Sequence, residues 1–229
     1  EIQRKVEARF QKASIAQEAD VRIEVQDGEV TLTGIATNLP VSREAEKLAR
    51  KESKHVDNQI RVHIEEPAKE ADLKEGVRRA ILGYPYYEVF DYVEFAVSDG
   101  AILLVGSVNQ PHKKNIIESR VARVPGLRAI QNDIEVQSFT RFDSEIRASL
   151  ARQIYGDIRF AQYSNRAHPP IRILVDRGHV TLAGWVSSKV DKAVLGNIAR
   201  STPSFTVTNQ LHVDGEVPEE DAKKESSRS

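Results

Sequence analysis

The chain has 229 residues, of which 40% are hydrophobic and 29% charged, and its formal charge is −1. This composition is typical of a globular chain rather than a disordered one. No stretch of 18 uninterrupted apolar residues occurs, which excludes a membrane-spanning helix in this sequence. The absence of Cys excludes disulfides, thiolate nucleophiles and Cys-ligated metals. The near-zero net charge provides no overall field that would attract nucleic acid.

Glycines and asparagines recur in a fixed order along the chain. Three pairs of glycines are each six residues apart: Gly28 and Gly34, Gly100 and Gly106, Gly178 and Gly184. An asparagine follows the second glycine of each pair after 24, 26 and 25 residues, at Asn58, Asn132 and Asn209. Because the same register occurs three times, the sequence predicts three copies of one small domain.

Each copy shows the same succession of periodicities, and the first element is a helix. Apolar residues at spacing i, i+4, i+8 define its buried face: Ile2/Val6/Phe10, Leu73/Val77/Ile81 and Ile146/Leu150/Ile154. Asp72 and Asp143 are the predicted N-caps in copies two and three. Two strands follow, joined by a turn that contains the first glycine of each pair.

A second helix is expected to begin near Pro40, Pro111 and Ser187, because Pro and Ser are favoured at helix starts. The third strand then begins at the repeated Asn. The strand–helix–strand segment can form a right-handed parallel crossover. The predicted fold class is therefore α+β: three tandem α-β-β-α-β modules, each a mixed three-stranded sheet packed on two helices.

The repeat also defines the domain boundaries. The predicted modules cover residues 1–66, 67–138 and 139–214, and residues 215–229 are predicted to form a disordered, charged tail.

The repeated pattern Asp-Gly-x-Val-x-Leu-x-Gly, then a helix, then Val-x-Asn-x-Ile-x-Val, resembles the BON domain, named for bacterial osmotically inducible and nodulation proteins. All three copies show it. The third departs locally, with Arg177 in place of Asp and an insertion around residues 165–170. The resemblance implies a peripheral protein of the periplasm or cell envelope that binds anionic phospholipid and supports envelope integrity under osmotic stress. It implies no catalytic residue and no cofactor, so we expect a non-enzymatic protein. The alternative is a protein-interaction or chaperone-like scaffold in the periplasm.

The three copies differ in charge, and only the third is basic. Copies one and two carry −2 and −1, whereas copy three carries +4, with eight Arg among its ten basic residues. Its candidate contacts with lipid or with an envelope protein are Arg159, Arg166, Arg172 and the single Trp185. The competing interpretation is that these Arg residues belong to an ordinary solvated surface and that Trp185 packs under the second helix.

Copy two contains the only concentrated aromatic stretch, with six of the 14 aromatic residues of the chain between positions 84 and 95. Four aromatic residues of its loop could insert at a lipid headgroup layer: Tyr84, Tyr86, Tyr87 and Phe90. Two basic residues, Arg78 and Arg79, precede this loop and complete the candidate surface. The alternative is packing against a neighbouring copy. Leu103 and Val105 lie on the sheet face opposite the helices, so we expect an inter-domain contact there.

Chemistry-bearing motifs are otherwise missing. The six His lack metal spacing, and HExxH, Gly-x-Ser-x-Gly and phosphate-loop patterns are absent. The sequence therefore predicts no metal site and no small-molecule substrate. A Gly-x-x-Gly loop and outward-facing sheet aromatics are also absent, which disfavours nucleic-acid binding.

Overall fold

A computed structural model describes residues 1–64 and 68–215 of the chain. These residues form two compact units. The first unit contains residues 1–83, 95–104 and 115–133, and the second contains residues 84–94, 105–114 and those from 134 onward. Apart from Gly215, the predicted disordered tail lies outside the described residues, and so do residues 65–67.

The first module has one short helix more than the predicted pattern. Its elements are α1 (Ile2–Lys12), α2 (Ile15–Glu18), β1 (Ala19–Gln26), β2 (Glu29–Ala36), α3 (Leu39–Ala49) and β3 (Val56–Val62). Strand β2 is central, antiparallel to β1 and parallel to β3. Its inward residues Val30 and Leu32 are fully buried in one core with Val6 and Ala45 of the two main helices.

The second module follows the predicted order without a counterpart of α2, and its last strand is interrupted. Its elements are α4 (Glu70–Leu82), β4 (Tyr92–Ser98), β5 (Ala101–Val108), α5 (Pro111–Val121), β6 (Ala129–Asn132) and β7 (Glu135–Val136). The sheet has the order β4-β5-β6, and β7 continues β6 alongside β5.

The third module has a longer connection between its first helix and its first strand, and this connection includes residues 165–170, where the sequence predicts an insertion. Its elements are α6 (Arg141–Tyr155), a 3-10 turn (Ile158–Phe160), α7 (Ala161–Ser164), β8 (Ile171–Asp176), β9 (His179–Val186), α8 (Lys189–Arg200), β10 (Thr206–Asn209) and β11 (His212–Val213). Strand β9 is central, antiparallel to β8 and parallel to β10 and β11. The three mixed sheets with their helices confirm the predicted fold class.

The two glycines of each pair have different physical roles. The first lies in the β-turn, where both central residues have positive φ, as in Asp27 (52°) and Gly28 (86°). The second allows close approach of two backbones: a Cβ on Gly34 would lie 1.9 Å from the Asp20 carbonyl oxygen. In the third module Arg177 adopts the same left-handed conformation, with φ 49°, at the position that Asp occupies in the other two turns.

The repeated Asn connects the last strand to the second helix of its module. Asn58 Nδ2 donates to the Ser42 carbonyl oxygen at 3.2 Å, and Asn209 Nδ2 donates to the Lys192 carbonyl oxygen at 2.7 Å. Asn132 Nδ2 donates to Glu118 at 2.9 Å. The repeated Gly residues are therefore explained by backbone geometry, and the repeated Asn residues by side-chain hydrogen bonds to the second helix of each module.

The predicted N-caps are wrong. Helices α4 and α6 begin at Glu70 and Arg141, so Asp72 and Asp143 are the third residues of their helices. Thr140 is the cap of α6: its hydroxyl accepts from the Asp143 N–H at 3.0 Å and donates to the Asp143 carboxylate at 2.7 Å. The short Thr side chain and the acid three residues later form a reciprocal capping arrangement, which favours the earlier start.

Candidate interaction surfaces

All but one of the aromatic residues in this stretch of the second module are buried or half-buried. Tyr84 is 6% exposed, and the Tyr87 hydroxyl accepts from the Val93 N–H at 2.9 Å. Burial raises the pKa of Tyr87. Phe90 packs against the core of the third module. Only Tyr86 among these four residues is exposed, at 66%, so the exposed aromatic surface assigned to the loop is reduced to one ring.

The same loop is docked on the edge strand β8 of the third module. The Ile173 N–H donates to the Val89 carbonyl oxygen at 2.8 Å, which continues the sheet with one hydrogen bond. Arg172 donates from Nη1 to the Glu88 carbonyl oxygen at 2.9 Å, and its guanidinium lies 4.9 Å from the centroid of the Tyr87 ring. Arg172 is 6% exposed. Arg172 is therefore not part of a lipid-binding surface, because its guanidinium is buried in the contact between the second and third modules.

A buried polar cluster holds the linker between the second and third modules. Gln137 donates to the Phe90 carbonyl oxygen at 2.9 Å and accepts from the Val175 N–H at 3.1 Å. Arg147, 4% exposed, donates to the Ser138 carbonyl oxygen at 2.8 Å. These bonds fix the segment that joins the two modules. Nothing in the sequence distinguishes Gln137 or Arg147 from exposed residues of the same type.

Asp143 belongs to the same cluster. Its carboxylate accepts from the Gly178 N–H at 2.7 Å and from the Ser138 hydroxyl at 2.5 Å. Burial alone would raise the pKa of Asp143, but these bonds and the Thr140 hydroxyl outweigh burial and lower it.

A second buried charge cluster fixes the base of the aromatic loop. Lys113, 1% exposed, donates from Nζ to Asp91 at 2.7 Å and to Glu88 at 3.0 Å. Asp91 is fully buried and also accepts from the Asn109 N–H at 3.0 Å. Sequence reasoning missed this pair, because a Lys near a helix start is normally solvent-exposed.

The other candidate residues of the second module lie outside the aromatic loop, on α4 and β5. Arg78 and Arg79 are exposed on α4, and both contact Glu75, at 3.3 and 3.5 Å. Leu103 and Val105 are half-buried on β5. Their contact with another module remains a prediction.

Arg159, Arg166 and Trp185 lie at one end of the third module, which we call the Trp185 end. Here β9 ends beside the start of β8, because the Trp185 N–H donates to the Pro170 carbonyl oxygen at 3.2 Å. Helix α6 ends there too, since the Tyr155 hydroxyl donates to the carbonyl oxygen of Ile171, the first residue of β8. Trp185 is 43% exposed, and its ring centroid lies 4.9 Å from that of His212.

The connection between α6 and β8 is anchored at this same end. The Tyr163 hydroxyl accepts from the Ser187 N–H at 2.8 Å and donates to the Asp191 carboxylate at 2.6 Å. Both partners lie where α8 begins, so α7 and the 3-10 turn are held beside the start of α8. Arg159 in this turn is exposed and paired with Asp157, and Arg166 is exposed and donates to the Gln162 carbonyl oxygen at 3.3 Å.

The opposite end of the third module carries an aromatic cluster that sequence reasoning missed, here called the Phe205 end. The ring of Phe205, 72% exposed, lies 5.7 Å from Phe142 and 5.9 Å from His179. The Phe205 N–H donates to the Gly178 carbonyl oxygen at 2.8 Å, which places the cluster at the β8–β9 turn. Phe139, 70% exposed, precedes α6 nearby in sequence. The sequence signal that could have revealed this cluster was Phe205, a Phe outside the alternating apolar pattern of the strands.

Within residues 1–64 and 68–215, no group of three or more His, Asp or Glu side chains is arranged to hold a metal ion. No helix in this part of the chain is long and apolar enough to cross a bilayer.

A family model for the BON domain matches the chain three times, over residues 1–63, 69–138 and 143–215. The chain belongs to the BON-domain family. BON domains are in general non-catalytic and occur in envelope proteins. In this tandem BON protein, each matched segment covers the sheet and helices of one module, and the third begins at the third residue of α6.

Two proteins of type III secretion systems are among the solved structures that match the chain. The C-terminal domain of CdsD, a structural protein of that system in Chlamydia trachomatis, is 14% identical. The match covers 94% of this chain and 96% of that one, with a TM-score of 0.28. The periplasmic domain of PrgH, an inner membrane protein of that system in S. typhimurium, is also 14% identical, with 90% and 100% coverage and a TM-score of 0.22. At these scores the likeness carries no argument about function. No curated protein matches the chain.

Proposed function

We propose that this tandem BON protein is a non-enzymatic component of the bacterial envelope that binds anionic phospholipid surfaces through its third module and supports envelope integrity under osmotic stress. The observation that carries the proposal is the set of exposed basic and apolar side chains at the Trp185 end. Arg159, Arg166 and Trp185 are separated in sequence, and the fold holds them at one end of a single module.

The charge of the third module limits how strongly it can bind. Two of its ten basic residues, Arg147 and Arg172, are buried and unavailable to lipid. Eight basic and five acidic side chains stay exposed or half-exposed, an excess of three. At about 1 kcal/mol per basic residue near an anionic surface, this contributes roughly 3 kcal/mol. Apolar contact must therefore supplement charge, and the other two modules can add further contacts.

Vesicle co-sedimentation at low and high salt tests the proposal. We expect the full chain to bind vesicles containing phosphatidylglycerol and not to bind phosphatidylcholine vesicles. Added salt should dissociate the complex, because it shortens the screening length. Failure to bind anionic vesicles at about 50 mM salt, where the screening length is roughly 14 Å, would contradict it.

Charge-reversal variants locate the contact. Arg159→Glu with Arg166→Glu should abolish binding. Arg22→Glu with Arg61→Glu is the matched control, because both residues are exposed in the first module and the change in charge is equal. Equal loss in the two variants would mean that only net charge matters and would contradict a site in the third module.

The Phe205 end favours a second candidate function, a protein-interaction scaffold. Phe142 and Phe205 lie at the β8–β9 turn with the exposed Arg177, and the exposed Phe139 follows Ser138, whose hydroxyl accepts from the Arg177 N–H. Exposed aromatic residues together with Arg are typical of protein contacts. Affinity purification of the full chain from detergent-free, lipid-depleted envelope extract, compared with a Phe139→Ser/Phe205→Ser variant, tests this candidate. A specific partner lost in the variant would support it, and an unchanged set of partners would contradict it.

A further inference from the structure

The Trp185 end also exposes two aliphatic side chains that the sequence did not single out. Ile158, in the 3-10 turn, is 87% exposed, and Val190, in the first turn of α8, is 70% exposed. An aliphatic side chain in these positions leaves apolar surface in water and adds nothing to the core. Together with Trp185 they give this end three exposed apolar side chains in addition to the exposed Arg159 and Arg166.

The two ends of the module cannot both contact one flat surface when the strands are perpendicular to that surface. His179 and Trp185 are six residues apart on β9, which corresponds to about 20 Å along the strand. The Phe205 end is beside His179, and the Trp185 end is at the other terminus of the strand. A bilayer that contacts one end is therefore separated from the other by most of the module.

The size and composition of the Trp185 end favour a bilayer over a protein as its occupant. Three apolar side chains on separate elements offer far less than the roughly 1,000 Å² that a stable protein interface needs. A headgroup layer accepts single side chains, and the indole of Trp combines an apolar ring with an N–H suited to that layer. The Arg side chains at the same end match lipid phosphates in charge and geometry.

From this arrangement we infer that the third module docks end-on on an anionic phospholipid bilayer. Trp185, Ile158 and Val190 enter the headgroup layer, and Arg159 and Arg166 lie against the phosphates. This inference rests on the proposed function and adds the orientation and the apolar residues that carry it. In this orientation the Phe205 end points away from the bilayer.

The single Trp of the chain reports the contact directly. We expect the emission of the full chain to shift to shorter wavelength on addition of phosphatidylglycerol vesicles, and to be quenched by brominated lipid. Glycerol phosphate, which carries the headgroup charge without a bilayer, should leave the emission unchanged.

A pair of double variants tests the apolar residues. Ile158→Ser/Val190→Ser should lower partition to the vesicles roughly tenfold or more, because two exposed apolar side chains together exceed the ~1.4 kcal/mol that corresponds to tenfold. Phe139→Ser/Phe205→Ser is the matched control at the opposite end, with 70% and 72% exposure, and should bind as the native chain does. Thermal melts of each variant check that it is folded.

The outcomes separate the two proposals. If the native chain binds vesicles but its Trp emission is unchanged and Ile158→Ser/Val190→Ser binds normally, the end-on inference is overturned and the proposed function survives. If loss of binding follows Phe139→Ser/Phe205→Ser instead, the orientation is reversed and the inference fails. If the native chain does not bind anionic vesicles, the proposed function fails, and the inference fails with it.

Discussion

Lys113→Met is expected to destabilise the docked aromatic loop and, through it, the third module. In the native chain the Lys113 side chain is 2% exposed and lies 2.7 Å from the fully buried Asp91. Removal of the ammonium leaves a buried carboxylate that retains only the N–H groups of Glu88 and Asn109 as donors. A buried charge that loses its partner costs about 3–5 kcal/mol, and we expect the lower end because these two bonds persist.

The assay is urea unfolding followed by far-UV circular dichroism and by the fluorescence of Trp185, which reports the third module on which the loop is docked. Lys74→Met is the matched control, since Lys74 is half-exposed and pairs with Glu70 on the surface at 2.6 Å. A surface pair of this kind contributes at most about 1 kcal/mol. The double variant Lys113→Met/Asp91→Leu should recover part of the loss, because it removes both charges but leaves the Glu88 and Asn109 N–H groups without their acceptor.

The refuting result is a loss below about 1 kcal/mol for Lys113→Met, which is the range of an exposed pair. It would mean that the ammonium and the carboxylate are solvated in solution. The buried cluster would then not be what positions the loop.

Three further predictions concern the turn, the close backbone approach and the capping acid. Arg177→Asn should raise the unfolding free energy by about 1 kcal/mol in urea titration, because Asn tolerates the left-handed φ of 49° better than Arg; a destabilised variant would contradict this. Gly34→Ala should cost several kcal/mol more than Gly28→Ala, since its Cβ would lie 1.9 Å from a carbonyl oxygen whereas nothing lies within 4 Å of Gly28; equal melting temperatures would refute it. The pKa of Asp143 is lowered in the folded chain, so its contribution is complete above its ordinary value near 4 and is lost as pH falls towards the folded pKa. The stability difference between the native chain and Asp143→Asn should therefore shrink on acidification through this window, and a constant difference would count against the assignment.

Much of the fold was predictable because its strongest constraints are local in sequence. A turn with positive φ, a backbone crossing that excludes Cβ, and an Asn that reaches a helix carbonyl each require one residue type at a fixed offset. Gly28, Gly34 and Asn58 show this register in the first module, and two further copies repeat it. The N-caps were missed because Asp143 and Thr140 are both suitable caps, and only the backbone path decides which residue starts the helix.

The candidate surfaces were less predictable because exposure depends on contacts between distant residues. Arg172 and Arg166 are equivalent as sequence signals, yet Arg172 is buried by Glu88, 84 positions away, and Arg166 is exposed. Sequence alone determined the family, the three modules and the near absence of chemistry-bearing motifs. Only the tertiary structure decided which charges face solvent and that Ile158, Trp185 and Val190 share one end, because strand pairing and the parallel crossovers bring these separate segments together.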